Sequence, residues 1–539
     1  MIRKLVPFLM ACTVLLLAGS CRKSGASWDT DISSPIFKTT FGIDKLIADS
    51  LLSKNTDSSL TLVYSKSLTN YALDSLIHIP DTSVSNVYHL PGGSLTFAPG
   101  AAITPGPPNN ITTTTYPLHG VGLKTAFLRT GIMHVTIKNK VHSKIKLNYQ
   151  IPSASLNGIP FTITVMVPGS VGGVPGSYVA DYNLQAYTID LSGPAHNSIN
   201  TVVTEINANI DPNAPPSGVL VTSADSLIIN SSFINLVPGY AKGYFGQTVQ
   251  HVGPSESAFG VFSKFTSGSL LLQSVQLNFY IENGIGVDAR LIIPDIYSKN
   301  SRTGNTVHLT APIINSPINI NRAIETFSNP PAITSNYSMM LNNGNSNIKA
   351  LIENLPDKIG YQMNIYPDPN GNVSGYNDFV YYGYGLQAGL DLQVPLNLVA
   401  TNLALADTVS VNFDKVSSNL QQLHQCSLTL YASNGFPLTA AIQMYMVDQN
   451  NRISDSLMGP AHQIAAAPLD VNLRAIGKQE TVLTIPVPGQ KITNLIHAQK
   501  IIITARFNTS ANPNYLKIYD NYQMDFQLTG DFNYTIKVH

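Results

Sequence analysis

The sequence predicts an all-β protein with few short helices, organised as tandem antiparallel β-sandwich modules, and three observations lead there. Pro-, Gly- and Asn-rich stretches such as "FAPGAAITPGPPNNITTTT", "MVPGSVGGVPGS", "DPNAPPSG" and "SNPPAIT" punctuate short apolar runs. Short runs cut by turn residues are the spacing of strands. Strict two-residue alternation runs through "VTIKNKVHSKIKLNYQIP", so that residues of one parity share a face. The same template returns twice along the chain, each time with an asparagine in an apolar-phase position.

The chain opens with Arg3 and Lys4, an apolar run from Leu5 to Leu17, and the small residues Ala18, Gly19 and Ser20 before Cys21. This is signal-peptide anatomy over residues 1–20, and the apolar run is too short to span a bilayer. Small residues followed at once by cysteine resemble a bacterial lipobox, although Leu17 stands one place earlier than that pattern has its leucine. The resemblance implies that Cys21 is acylated and that the protein is a cell-envelope lipoprotein of the Bacteroidetes type, held on the outer membrane. Ala18-Gly19-Ser20 also suits the ordinary signal peptidase.

Residues 21–27 form the tether. Between Cys21 and Trp28 stand only "RKSGAS", which reach roughly 20 Å when extended, so the first domain is expected close to the lipid. Surface-displayed lipoproteins of the resembled type carry acidic residues directly after the cysteine, whereas here the first is Asp29. That favours the periplasmic face. Asp-Ser/Thr-apolar triplets begin at Asp49, Asp74, Asp225, Asp407 and Asp455 and resemble the O-glycosylation triplet of the same phylum; turn residues entering strands are the plain alternative.

Residues 28–108 read as a separate N-terminal region, with "GIDKLIADSLLSK" placing Ile43, Leu46, Ile47 and Leu51 on one helical face. Three modules follow, at 109–254, 255–401 and 402–539. In the first, Val135, Ile137, Asn139, Val141, Ser143, Ile145 and Leu147 share a parity, with polar residues between them. A two-residue turn at Asn139-Lys140 would mix the faces, so the phase demands a long strand, a bulge or a three-residue turn. In the second module the series Val275 to Ile293 includes Asn283, and in the third Leu428 to Met446 includes Asn434. An inward asparagine is costly unless its amide is bonded, so each should bridge neighbouring backbone at a kink. The pattern resembles the late-embryogenesis-abundant, water-stress type of β-sandwich and, more distantly, tubular lipid-binding domains. It lacks the Asn-Pro-Asn of the former, and the resemblance implies a binding or structural module with no catalytic residue. "NSNIKALIENLP" should form a short helix ending before Pro356.

Composition excludes more than it selects. Lys and Arg number 31, against 31 Asp and Glu, so bulk charge favours no nucleic acid. Of three cysteines, Cys12 leaves with the signal and Cys21 takes lipid, so Cys426 stands alone and no disulfide framework exists. The motifs of serine hydrolases, zinc proteases, redox dithiols and phosphate loops are absent. Ser346 and Lys349 form a lone Ser-x-x-Lys, with Arg302-Thr303-Gly304 preceding rather than following it. His424 and Cys426 alternate onto one face without a second ligand pair. "DPNGNVSG" alternates Asp368, Asn370, Asn372 and Ser374, but Val373 stands where a calcium loop needs glycine. No cofactor, no metal and no enzymatic activity are expected.

Two surfaces invite binding. Lys138, Lys140, Lys144 and Lys146 share the polar parity of the first repeat strand and would meet anionic groups of lipid or polymer. Tyr376, Tyr381, Tyr382 and Tyr384 crowd "YNDFVYYGYG" and would stack on sugars. The expected function is a non-enzymatic structural or recruiting subunit of an envelope assembly, with other envelope proteins as partners; a surface glycan-binding lipoprotein and a lipid-binding or lipid-transfer module are the alternatives.

Overall fold

The computed structural model describes residues 26–43, 47–72, 79, 81–90, 93–104, 109–118, 120–411, 423–458, 462–510 and 514–538. Cys21, the signal segment and most of the tether lie outside the described residues. The chain is all-β, with antiparallel sheets throughout its named strands. Among the described residues no helix is long and apolar enough to cross a membrane.

Three sandwiches share one strand plan. In the first, one sheet runs Thr82–His89, Ser226–Tyr244, Gly122–Asn139, Gly176–Asn183. The facing layer runs Ile111–Thr115, Thr201–Ile210, Ile145–Leu156, Ile159–Val167, and Thr188–Asp190 pairs with both layers and joins them into one sheet. In the second sandwich the same places are taken by Leu60–Ala72, Gly385–Pro395, Gln276–Asn283, Ser335–Leu341 and by Gln250–Ala258, Lys358–Pro367, Ala289–Asn300, Ile318–Ile320. In the third they are Ala26–Gly42, Gln523–Val538, Leu423–Asn434, Gln479–Val487 and Asn397–Ser410, Lys500–Thr509, Leu438–Val447, His462–Ile464.

The region 28–108 is therefore no separate domain, which corrects the sequence reading. It supplies one strand to each sandwich, in reverse order: Ala26–Gly42 to the third, Leu60–Ala72 to the second and Thr82–His89 to the first. Alternation marks such strands, but a partner nearly the whole chain away leaves no local signal. Of the helix expected over Ile43 to Leu51, residues 44–46 lie outside the described residues, and the Ile47 N–H donates to the Ile43 carbonyl at 3.0 Å. Asp49–Leu51 makes a 3-10 turn, and Leu52–Lys54 pairs with Leu60–Leu62 around a turn in which Asp57 accepts from the Ser59 N–H at 3.0 Å. The helix expected before Pro356 is present as Ile348–Glu353.

The sandwiches stack end to end. The strand Ser226–Tyr244 begins beside His89 at the outer end of the first sandwich and finishes at its lower end, where Tyr240–Gly243 pairs with Asp378–Tyr381 of the second. The lower end of the second meets the third through Phe265–Leu272, which adds to the strand Asn397–Ser410, and through Leu60 N–H, which donates to the Ile518 carbonyl at 2.9 Å. The first sandwich has its own core, around Val135, Ile137, Leu147 and Tyr149. The second and third share one continuous apolar cluster, so burial, the dominant stabilising term, makes them a single unit.

Because the N-terminal strands climb this stack, Ala26 pairs with Val538 at its base and His89 lies at its tip. Those three strands hold 17, 13 and 8 residues, or roughly 120 Å of extended chain at about 3.3 Å per residue.

Candidate functional site

At the tip end of every sandwich an asparagine closes the corner between the facing sheets. Asn139 Nδ2 donates to the carbonyls of Ser143 and Pro168, both at 2.9 Å, and its Oδ1 accepts from the Val141 N–H at 2.9 Å. Asn283 repeats this with Val287 (2.9 Å), Asn321 (2.8 Å) and Ile285 (3.1 Å). Asn434 repeats it with Leu438 (2.9 Å), Ala465 (2.8 Å) and Phe436 (2.9 Å). In each case the distant carbonyl belongs to the residue directly after a facing-sheet strand, Ile159–Val167, Ile318–Ile320 or His462–Ile464. All three side chains are fully buried. Every donor and acceptor of the amide but one lone pair's worth is engaged, which is what allows so polar a group inside a core.

This corner also explains the unbroken alternation. Gly122–Asn139 and Ile145–Leu156 do not pair with each other and are joined only through Thr188–Asp190, while Gln276–Asn283 and Ala289–Asn300, like Leu423–Asn434 and Leu438–Val447, lie in separate sheets, so a chain that turns at the asparagine keeps its inward parity without a hairpin. The four lysines consequently do not project from one strand, as the sequence reading had it. Lys138 lies on the outer face of the strand Gly122–Asn139 and Lys146 on that of Ile145–Leu156, with Lys140 and Lys144 on the corner between them, all four exposed. They stand at the tip, whereas the strand next to the tether belongs to the third sandwich. The expectation that the first sandwich rides beside the lipid fails on this connectivity.

The tyrosines are mortar between the first and second sandwiches rather than an open platform. Tyr381 stacks at 4.5 Å from Tyr240, and both hydroxyls donate to Glu325 Oε1, at 3.1 and 2.7 Å. Lys242 pairs with Glu325 Oε2 at 2.9 Å. Burial and the Glu325 carboxylate push Tyr381 up to about 12. Arg129 lies 3.4 Å over the Tyr382 ring, Tyr384 packs against Tyr381 at 6.4 Å, and Tyr376 meets Tyr244 edge-on at 6.4 Å. Tyr382 keeps 51% of its surface exposed, while Tyr376, Tyr381 and Tyr384 are half-buried.

Beneath the tyrosines lies an acidic group that no sequence motif announced. Asp368 and Asp378 are both buried, and the Oδ2 atom of each has no partner. Arg322 reaches Asp378 at 2.9 Å and bonds Asp288 through its backbone N–H at 2.8 Å. Burial, then Asp378 and Asp288, push Asp368 up to about 7 against the pull of Arg322; Asp378 is raised too, first by burial. The alternating donors do not converge here. Asn370 is exposed, Asn372 Oδ1 accepts from the Tyr376 N–H at 2.8 Å, and Ser374 Oγ accepts from the Asn377 N–H at 3.1 Å. Among the described residues no group of three or more His, Cys, Asp or Glu is placed to hold a metal ion.

The remaining candidates have structural partners. Cys426 is buried, which pushes its thiol up to about 12; the His424 side chain lies outside the described residues. Ser346 Oγ donates to the Asn342 carbonyl at 2.8 Å, and Lys349 reaches Tyr515 of the third sandwich at 3.4 Å. Of the triplet hydroxyls, Ser50 and Thr408 are exposed, Ser456 is half-buried and Ser226 is buried, while Ser75 lies outside the described residues. Three apolar cavities measure about 70, 40 and 20 Å³. An open groove of about 450 Å³ lies where the strand Gly176–Asn183 ends, lined by Ile132 and Tyr182 as well as Asp181, Asn183, Gln185 and Asn235.

No protein-family model matches the chain, and no curated protein matches it. Among solved structures, a protein of Parabacteroides distasonis ATCC 8503 described as secreted is 13% identical, covers 54% of this chain and 87% of its own, and has a TM-score of 0.30. The tandem CBM22 domains of Paenibacillus barcinonensis Xyn10C are 10% identical, with coverage of 62% and 98% and a TM-score of 0.13. A structure of infectious bursal disease virus is 8% identical, with coverage of 92% and 86% and a TM-score of 0.14. These scores transfer neither fold nor activity.

Proposed function

We propose that this chain is an exported, non-enzymatic envelope lipoprotein that acts as a stalk, anchored through Cys21 at its base and presenting the first sandwich to a partner at its tip. One observation carries the reading: the strand that follows the tether pairs with Gln523–Val538 in the third sandwich, so anchor and tip lie at opposite ends. The strand-sharing junctions stiffen the stack, as a spacer requires. The small apolar cavities argue against lipid transfer, and the partnered tyrosines against a sugar platform at the first junction.

The single tryptophan gives the test. Trp28 is 51% exposed at the base, where an interfacial indole belongs. In liposomes carrying a brominated lipid, Trp28 fluorescence of the lipidated protein should be quenched, and a dye placed at Lys140 through Lys140→Cys, in a Cys426→Ser background, should not respond to a lipid-borne acceptor. Cys21→Ser should release the protein from the membrane fraction. A dye at position 140 that reports contact with lipid would overturn the stalk, and a Cys21→Ser variant that still requires detergent would overturn the anchor.

A further inference from the structure

The tip carries an unbalanced charge. Lys138, Lys140, Lys144 and Lys146 fall within nine residues and are exposed, and none has a side-chain partner among the described residues. Eight lysines elsewhere sit on a carboxylate. In sequence, 90–110 and 168–176 contain no charged residue, and 211–225 contains only Asp211 and Asp225. Both of those carboxylates accept bonds within their own turns and pair with no lysine, so four lysines stand against two aspartates here. Asp211 Oδ1 accepts from the Asn213 N–H at 2.9 Å, and Asp225 Oδ2 from the Thr222 N–H at 2.8 Å and its hydroxyl at 3.0 Å.

We infer that the tip binds an acidic polysaccharide, with these four lysines as the contact. The inference rests on the stalk reading for its choice of occupant, because a tip roughly 120 Å of extended chain from the base does not face the bilayer that anchors it. The lysines run from the end of Gly122–Asn139 around the corner to the start of Ile145–Leu156 and are all exposed. Such a surface reads charge repeated along a flexible chain rather than the outline of one small anion, and lysine ammoniums, as mobile point charges, suit it. An acidic polymer can follow the corner and meet all four.

The test uses the full mature chain with Cys21→Ser, its binding measured on immobilised alginate, on neutral dextran and on vesicles of anionic phospholipid, at low and high salt. The tip variant changes all four lysines to Gln. A control changes Lys38, Lys66 and Lys264, which also lack ion pairs, to Gln. Alginate binding that weakens with salt and falls at least about tenfold in the tip variant, with the control within about twofold of the parent, is the expected result. Equal loss in both variants reduces the effect to net charge and overturns the site. Binding to dextran, no binding to alginate, or vesicles bound as tightly as alginate each overturn the polysaccharide. None of these outcomes bears on Trp28 quenching, so the stalk and its cargo fail separately.

Discussion

Replacing Asn283 by alanine tests the corner that all three sandwiches share. The amide makes three hydrogen bonds, at 2.9, 2.8 and 3.1 Å, in a fully buried position where water cannot substitute. A net hydrogen bond contributes about 1 kcal/mol, and a buried group left without a partner costs about 1–3 kcal/mol. Two carbonyls and one N–H are orphaned at once, so the variant should lose about 3–5 kcal/mol. A chain of several cores has no single unfolding free energy. The suitable assay is hydrogen–deuterium exchange by segment, which resolves local opening. Protection should fall most in Gln276–Asn283 and Ala289–Asn300 and least in the first sandwich, which has its own core. Asn139→Ala and Asn434→Ala should loosen the first and third sandwiches in the same way. A loss below about 1 kcal/mol, or one spread evenly over the chain, would refute the reasoning.

Three further outcomes are expected. The folded Asp368 carboxyl sits at about 7 against an ordinary 3.8, so the folded state holds its proton more tightly: this stabilisation is complete below about 3.8 and is lost as pH rises through 7, with a ceiling on the order of 4 kcal/mol. Asp368→Asn should flatten the melting temperature between pH 4 and 8, and a variant that keeps the parent's slope rules Asp368 out as its source. Glu325→Ala removes the acceptor of Tyr240, Tyr381 and Lys242 and should cost about 2–4 kcal/mol, read as increased exchange confined to the first junction. A Cβ on Gly360 would stand 2.0 Å from the Tyr297 ring, so Gly360→Ala should cost about 1–3 kcal/mol by displacing that ring, whereas Gly304→Ala, with nothing within 4 Å, measures only the strain of its positive φ.

What the sequence disclosed was local. Alternation around Asn139, Asn283 and Asn434 exposed the strands, their inward parity and the recurrence, because a two-residue period and a buried amide both leave marks within twenty residues. The facing-sheet switch at the corner was hidden by the same alternation, which a single long strand satisfies equally well. Pairing across the chain left no mark at all, so Ala26–Gly42 looked like the start of an independent region. Asp368 appeared only as a turn residue, since its buried neighbours Asp288, Arg322 and Asp378 come from separate segments. The tyrosine cluster was legible, but its partners Tyr240, Tyr244, Glu325 and Arg129 come from distant segments and left no mark beside it.

The pairing of Ala26–Gly42 with Gln523–Val538 has a mechanical consequence. If the base is anchored and the tip is held, tension enters the fold at Ala26 and runs along the strand toward Gly42, parallel to its neighbour in an unbroken ladder apart from the irregularity between Pro35 and Phe37. Load in that direction shears the ladder, so its hydrogen bonds resist together instead of parting one after another. The attachment is thus strongest against the pull a stalk experiences along its axis, and weakest against a sideways peel of the Gly42 end, which lies inside the stack where no tether can reach it.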